Sequence, residues 1–194
     1  MANKTKITLN LFDVKSIDEA LGQLETYSRR FDEKLDLFIK RIAEQGVEIA
    51  KEKVQKFNAV FSAELLNSIH LEKRSSPFST VYLIVSDSKH TAFVEFGTGH
   101  WGELNKYPYD FPDGAKGWTY NDVENDEHLQ YTDEPLQWGE YTVPANTYYW
   151  FYFKNGKWRL SQGMRSRPFM SETALELQKQ RVIDRVAREV FRNA

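Results

Sequence analysis

Four histidines, His70, His90, His100 and His128, are the side chains best suited to move a proton or hold a metal near neutral pH. They are scattered. No pair has the His-x-x-x-His spacing that sets two imidazoles on one helix face for zinc. The run Asp122-Val123-Glu124-Asn125-Asp126-Glu127-His128 alternates oxygen ligands as a calcium loop does. Its sixth position is Glu127 where a glycine is needed, and its twelfth is Asp133 in place of Glu, so a solvated acidic loop fits better. The chain has no cysteine, which excludes disulfides, thiolate metal sites and thiol nucleophiles. It contains neither Gly-x-Ser-x-Gly nor a phosphate-cradling glycine-rich loop. One acid, Glu95, falls inside an apolar run, Ala92-Phe93-Val94-Glu95-Phe96. At a cleft edge it could serve as a general base. The favoured expectation is the solvent-facing member of a strand, or the partner of an arginine at a subunit contact. The pattern leads to the expectation of no catalytic residue, no cofactor and no metal.

Two other groups of residues could bind rather than react. Aromatic residues make up 14% of the 194-residue chain and gather between Trp101 and Trp158. Trp101, Tyr107, Trp118 and Trp138 are candidate interface residues, because aromatic side chains anchor protein–protein contacts. The competing readings are a small core of that region's own, or stacking on sugar rings. Charge is also segregated. Residues 102–140 hold ten acids and two lysines, and residues 154–194 hold ten Lys or Arg and four acids. Arg181, Arg185 and Arg188 are candidate interface residues in the basic part. The split suggests contact between subunits or partners, or an acidic loop lying over a basic helix of the same chain. The net charge of −2 argues against a dedicated nucleic-acid binder, leaving at most weak non-specific DNA contact. No apolar run reaches the length of a membrane span.

The elements that must carry these residues follow from periodicity. Ser16 to Gln55 predicts a long helix, opened by a Ser16–Glu19 capping box. Ile17, Leu21, Leu24, Phe31, Leu35, Phe38 and Ile42 recur at steps of three, four or seven on one face. The helix is either bent near Arg29-Arg30 or Gly46, or straight and packed on a sheet or on neighbouring subunits. Ile7–Leu11 alternates as a short strand. Ser62–Ile69 predicts one helical turn capped by Ser62. Strands follow at 70–75 and 80–86 around Ser75-Ser76-Pro77, the second apolar on both faces and so expected to be central. Ala92–Phe96 predicts a strand ended by Gly97-Thr98-Gly99. Residues 100–147 read as an insertion whose removal would spare the rest, and Asn155-Gly156 as a hairpin turn. Pro168 to Arg192 predicts a helix with Leu175, Val182, Ile183, Val186, Ala187 and Val190 as its apolar stripe. The fold class is α+β: a small, mainly antiparallel sheet with a long N-terminal helix and a C-terminal helix packed on it. Residues 1–194 make one domain carrying the 100–147 insertion.

Three segments together resemble a known family. They are Glu64-Leu65-Leu66-Asn67-Ser68-Ile69, Phe93-Val94-Glu95-Phe96-Gly97-Thr98 and Arg167-Pro168-Phe169-Met170 running to Ala174. In this order they resemble the signature of the neck and tail-completion proteins of long-tailed bacteriophages, typified by gene product ten of a lambdoid coliphage. Ala63 stands where that pattern has a glycine, and the insertion is larger than the family's. The resemblance marks Leu65, Ser68, Ile69, Val94, Glu95, Phe96, Gly97, Thr98, Arg167, Pro168, Phe169 and Ala174 as structural positions. It implies a structural protein of a phage or prophage that joins head and tail by self-assembly, without catalysis. Its partners would be itself, in a ring for which a hexamer is one allowed size, and neck, tail-terminator or tail-tube proteins. It would reside in the virion after assembly in the bacterial cytoplasm. The alternatives from other classes are an aromatic carbohydrate-binding module carried on a virion, and a metal- or acid-dependent hydrolase using Glu95.

Overall fold

The computed structural model describes residues 13–59, 63–77, 79–117, 129–154 and 156–192. The expected strand at 7–11, the Ser62 cap, Trp118 and the 122–128 acidic run lie outside the described residues. The architecture is α+β, with a long N-terminal helix and small antiparallel sheets. The chain divides into two compact units, one of Met1–Ile49, His70–Val85 and Ala174–Ala194, the other of Ala50–Ile69 and Ser86–Thr173.

Helix α1, Val14–Lys56, is continuous over 43 residues, unbroken at Arg29-Arg30 and at Gly46. Its cap is Asp13 and not Ser16. The Asp13 carboxylate accepts the Lys15 N–H at 3.1 Å, and its carbonyl accepts from Ile17 at 3.2 Å. A carboxylate is as good a cap as a hydroxyl and complements the positive helix end, so the helix starts two residues early. Where α1 crosses the first unit's other elements, Gly46 is required for space. A Cβ there would sit 2.3 Å from Ile84 Cδ1 and 2.8 Å from Leu177 Cδ1. The apolar seam is not buried along its N-terminal half. Leu21, Leu24, Tyr27 and Phe31 remain 48–55% exposed.

In the same unit, β1 (Ile69–Ser76) and β2 (Ser79–Ser86) pair as a two-stranded sheet. The Ser76 hydroxyl closes the turn by accepting the Ser79 N–H at 3.1 Å. β2 is therefore not a central strand: its two apolar faces are half-buried, and Val81 is exposed. Tyr82 donates to Asp36 of α1 at 3.0 Å. The C-terminal helix expected over 168–192 is two helices, α5 (Phe169–Leu177), whose residues up to Thr173 belong to the second unit, and α6 (Gln180–Phe191). Lys179 is extended, with ψ 128°, and its carbonyl accepts from Val182, so the helical phase is reset there. Val182 and Val186 are buried. Leu175, assigned by periodicity to the same stripe, is exposed. Phe191 of α6 meets Phe38 of α1 at 5.6 Å between ring centres.

The second unit contains helices α2 (Ala63–Ser68), α3 (Thr91–Phe96) and α4 (Gly99–Leu104). Its strands are β3 (Leu129–Thr132), β4 (Leu136–Trp138), β5 (Tyr141–Val143), β6 (Thr147–Lys154) and β7 (Lys157–Ser161). β6 is the middle of an antiparallel β3-β6-β7 sheet, with Tyr131 opposite Tyr148 and Phe151 opposite Leu160. β6 and β7 form the hairpin expected at Asn155-Gly156. β4 and β5 pair as a separate ribbon, Leu136 opposite Val143. Val143, Tyr149 and Leu160 are buried, with Leu136, Trp138 and Phe151 packed on them. A boundary at 147 would therefore cut through a folded sheet, because β3 before it pairs with β6 after it. With so few aliphatic residues, aromatics supply the apolar area that holds this part together.

Candidate functional site

The candidate site lies in the second unit, where all three segments of the resemblance converge. Ala92–Phe96 is not a strand. It lies in α3, one and a half turns of helix that follow the Asp87–His90 turn, where the Thr91 N–H reaches the Ser88 carbonyl at 3.0 Å. The helix ends at Gly97, whose N–H donates to the Phe93 carbonyl at 2.9 Å. Gly97 has φ +83°, and a Cβ there would lie 2.7 Å from the backbone nitrogen of Ser166. Only glycine fits both demands.

Beyond Gly97 the chain is clasped by residues 162–167. Thr98 and Met164 exchange two backbone hydrogen bonds, each 2.8 Å. The Ser166 hydroxyl donates to the Glu95 carbonyl at 2.7 Å, and the Arg167 N–H to the Val94 carbonyl at 2.8 Å. Gly163 makes this approach possible. Its φ is +97°, and a Cβ would fall 1.9 Å from the Thr98 carbonyl oxygen.

Glu95 is buried, at 4% exposure, and not solvent-facing, and no arginine pairs with it among the described residues. Its carboxylate caps α5. It accepts the N–H groups of Met170 at 2.9 Å and Ser171 at 3.0 Å, and the Ser171 hydroxyl at 2.6 Å. The helix end supplies orphan donors and partial positive charge, and the buried acid satisfies both. Burial pushes the Glu95 carboxyl above its ordinary range, and the three donors oppose that push without cancelling it. The Tyr107 hydroxyl bonds Ser171 Oγ in turn, making a Tyr107–Ser171–Glu95 chain. Tyr107 is thus a core residue and not an exposed interface residue. Its ring packs edge-on against Phe96 at 5.0 Å and lies 5.1 Å from Phe111. Lys53 and Glu172 form an ion pair of 2.5 Å beside the α5 start.

Phe169 and Ile69 are the largest fully buried side chains, and Leu65, Val94, Phe96, Thr98 and Pro168 are buried with them. Ser68 joins the first segment to the start of α3 through hydroxyls: Ser68 Oγ to Ser86 Oγ at 2.7 Å, then Ser86 Oγ to Thr91 Oγ1 at 2.6 Å. Arg167 is half-buried, and its Nε finds no partner among the described residues. Burial, and then Arg165, lower its pKa. Ala174 is exposed, as are Trp101, Arg181, Arg185 and Arg188, and Trp138 is half-buried against Phe151. The sequence reading missed Gly163, Met164, Ser166 and Ser171. A lone glycine just past a predicted strand was the one available signal.

Both Glu95 carboxylate oxygens hold donors of α5, so the group is placed to fix a helix. An open depression along α1 is lined by Glu19, Gly22, Gln23, Thr26, Tyr27 and Arg30, all of one helix, which makes it a surface groove and not an enclosed cavity. Among the described residues no three His, Asp or Glu side chains are grouped to hold a metal ion, and no helix is long and apolar enough to cross a membrane. No family model, no curated protein and no solved structure matches the chain.

Proposed function

We propose that this chain is a non-catalytic assembly component of a tailed phage or prophage, a neck or tail-completion protein that joins head to tail. It acts by associating with itself in a ring and docking on neck, tail-terminator or tail-tube proteins. It is made in the bacterial cytoplasm and carried in the virion. One observation carries this reading: the half-exposed apolar seam of Leu21, Leu24, Tyr27 and Phe31 on α1. A contiguous apolar stripe of this kind is a surface built to be covered. The three segments of the resemblance add support, because they meet physically and lock one another, as residues kept for architecture would.

The test is mass measurement of the pure chain, alone and mixed with neck or tail-tube proteins of the genome that encodes it. A stoichiometric complex is expected, and Leu24→Lys with Phe31→Lys abolishes it while leaving the melting temperature nearly unchanged. A chain that stays monomeric with all of these proteins contradicts the proposal.

A further inference from the structure

Resting on that reading, we infer that the arginine edge of α6 docks on the β4–β5 ribbon of a second copy of this chain. Arg181, Arg185, Arg188 and Arg192 stand at i, i+4, i+7 and i+11. At 3.6 residues per turn they fall within an arc of about 60° and span about 16 Å of helix. All four are exposed, while Val182 and Val186 of the same helix are buried on another face. The partners of Arg181, Arg185 and Arg188 lie on α5, on α1 and on α6 itself. Arg185 reaches the Gln45 side-chain oxygen at 2.7 Å, and Arg188 the Asp184 carbonyl at 3.1 Å, neither of which neutralises a charge. Arg181 shares Glu176 with Lys179, and together they hold that carboxyl down to about 2. Two cations on one acid leave a positive surplus, and exposed pairs of this kind exchange readily.

The β4–β5 ribbon offers the complement. Asp133 and Glu134 precede β4, and Glu140 sits in the turn after it. All three are exposed and have no ion-pair partner among the described residues. The acids therefore sit at the two ends of β4. Beside Glu140, at the turn end of the ribbon, Trp138 and Tyr141 stack at 6.0 Å with 27° between planes, and Tyr141 is 44% exposed. A guanidinium seats on such a ring face, so arginines at one end of the edge meet Glu140 and the aromatic pair together while those at the other end meet Asp133 and Glu134. The two surfaces are different patches of one chain. The contact is therefore head-to-tail, the type that closes into a ring when its rotation allows. A nucleic-acid partner would also suit arginines. A second copy is favoured because a counter-surface of opposite charge is present on the same chain.

The test uses the full chain and two double variants, Arg185→Glu with Arg188→Glu, and Glu134→Lys with Glu140→Lys. All substitutions are at exposed positions, and melting temperatures check the fold. Wild type should gain mass with concentration and lose it at about 1 M salt, where the screening length is about 3 Å. Each double variant alone should associate at least tenfold more weakly. Their equimolar mixture should regain assembly, since each brings the patch the other needs. Variants that associate like wild type, or a mixture that stays monomeric, overturn the inference. So does a monomeric wild type, or α6 reversal that removes binding to a duplex DNA probe and leaves association intact. The assembly reading fails separately: a chain that binds neck or tail-tube proteins but self-associates without regard to these charges keeps that reading and loses this contact.

Discussion

Gly163→Ala puts one methyl group into the closest backbone approach of the candidate site. The added Cβ would lie 1.9 Å from the Thr98 oxygen and 2.7 Å from Gly99 Cα, both backbone atoms, so no side-chain rotation relieves the overlap. The φ of +97° adds strain of about 1–3 kcal/mol for an L-residue. The two segments must part, which breaks both 2.8 Å hydrogen bonds between Thr98 and Met164 at about 0.5–1.5 kcal/mol each. The expected loss is about 2–6 kcal/mol. In a chain of 194 residues that lowers the melting temperature by about 4–24 °C. Gly22→Ala is the internal control. It lies in α1 with nothing within 4 Å of its added Cβ, and replacing a helical glycine should stabilise by about 0.5–1 kcal/mol. Thermal and urea unfolding measure both, and hydrogen exchange reads the amides of Thr98 and Met164. A Gly163→Ala protein that melts with wild type and keeps those amides protected refutes the reasoning.

Three more outcomes are expected. Phe169→Ala, at a side chain with 0% exposure, should cost about 3–5 kcal/mol in urea unfolding; a much smaller loss would mean the ring is not the anchor of α5. Glu95→Ala orphans the N–H groups of Met170 and Ser171, at about 1–3 kcal/mol each. Because burial raises the folded-state pKa of Glu95 above 4.5, its stabilisation is complete below that value and declines as pH rises through the raised one. The stability gap between wild type and Glu95→Ala should therefore be wider at about pH 4 than at about pH 8; a gap that widens with pH contradicts the burial argument. Replacing residues 101–147 by a Gly/Ser linker should abolish cooperative unfolding of the second unit, since it removes Tyr107, Val143 and the β3 partner of β6; a sharp transition would show the segment to be dispensable.

Long-range periodicity and turn chemistry were legible, and short runs were not. The seam from Ile17 to Ile42 gives α1, and Asn155-Gly156 gives the β6–β7 hairpin. The five residues Ala92–Phe96 fit two periods at once: alternation suggests a strand, while Phe93 and Phe96 at i, i+3 suit a helix. A run that short cannot arbitrate. Glu95 was misplaced for the same reason, and because its three donors come from Met170 and Ser171, some 75 residues away. No local pattern announces a cap supplied from that far. Tyr107 looked like an interface residue because the aromatic-rich segment has no periodicity to separate its core from its surface. The two demands on Gly97, positive φ and close approach, were half legible: the turn shows in Gly-Thr-Gly, but the chain pressed against it does not.

The most direct measurement of the proposed function is electron microscopy of particles from cells in which this gene has been deleted from the phage or prophage proposed to encode it. The account predicts filled heads and separate tails that fail to join, with normal particles restored by the wild-type chain supplied in trans. Deletion that leaves intact, infectious tailed particles would contradict it.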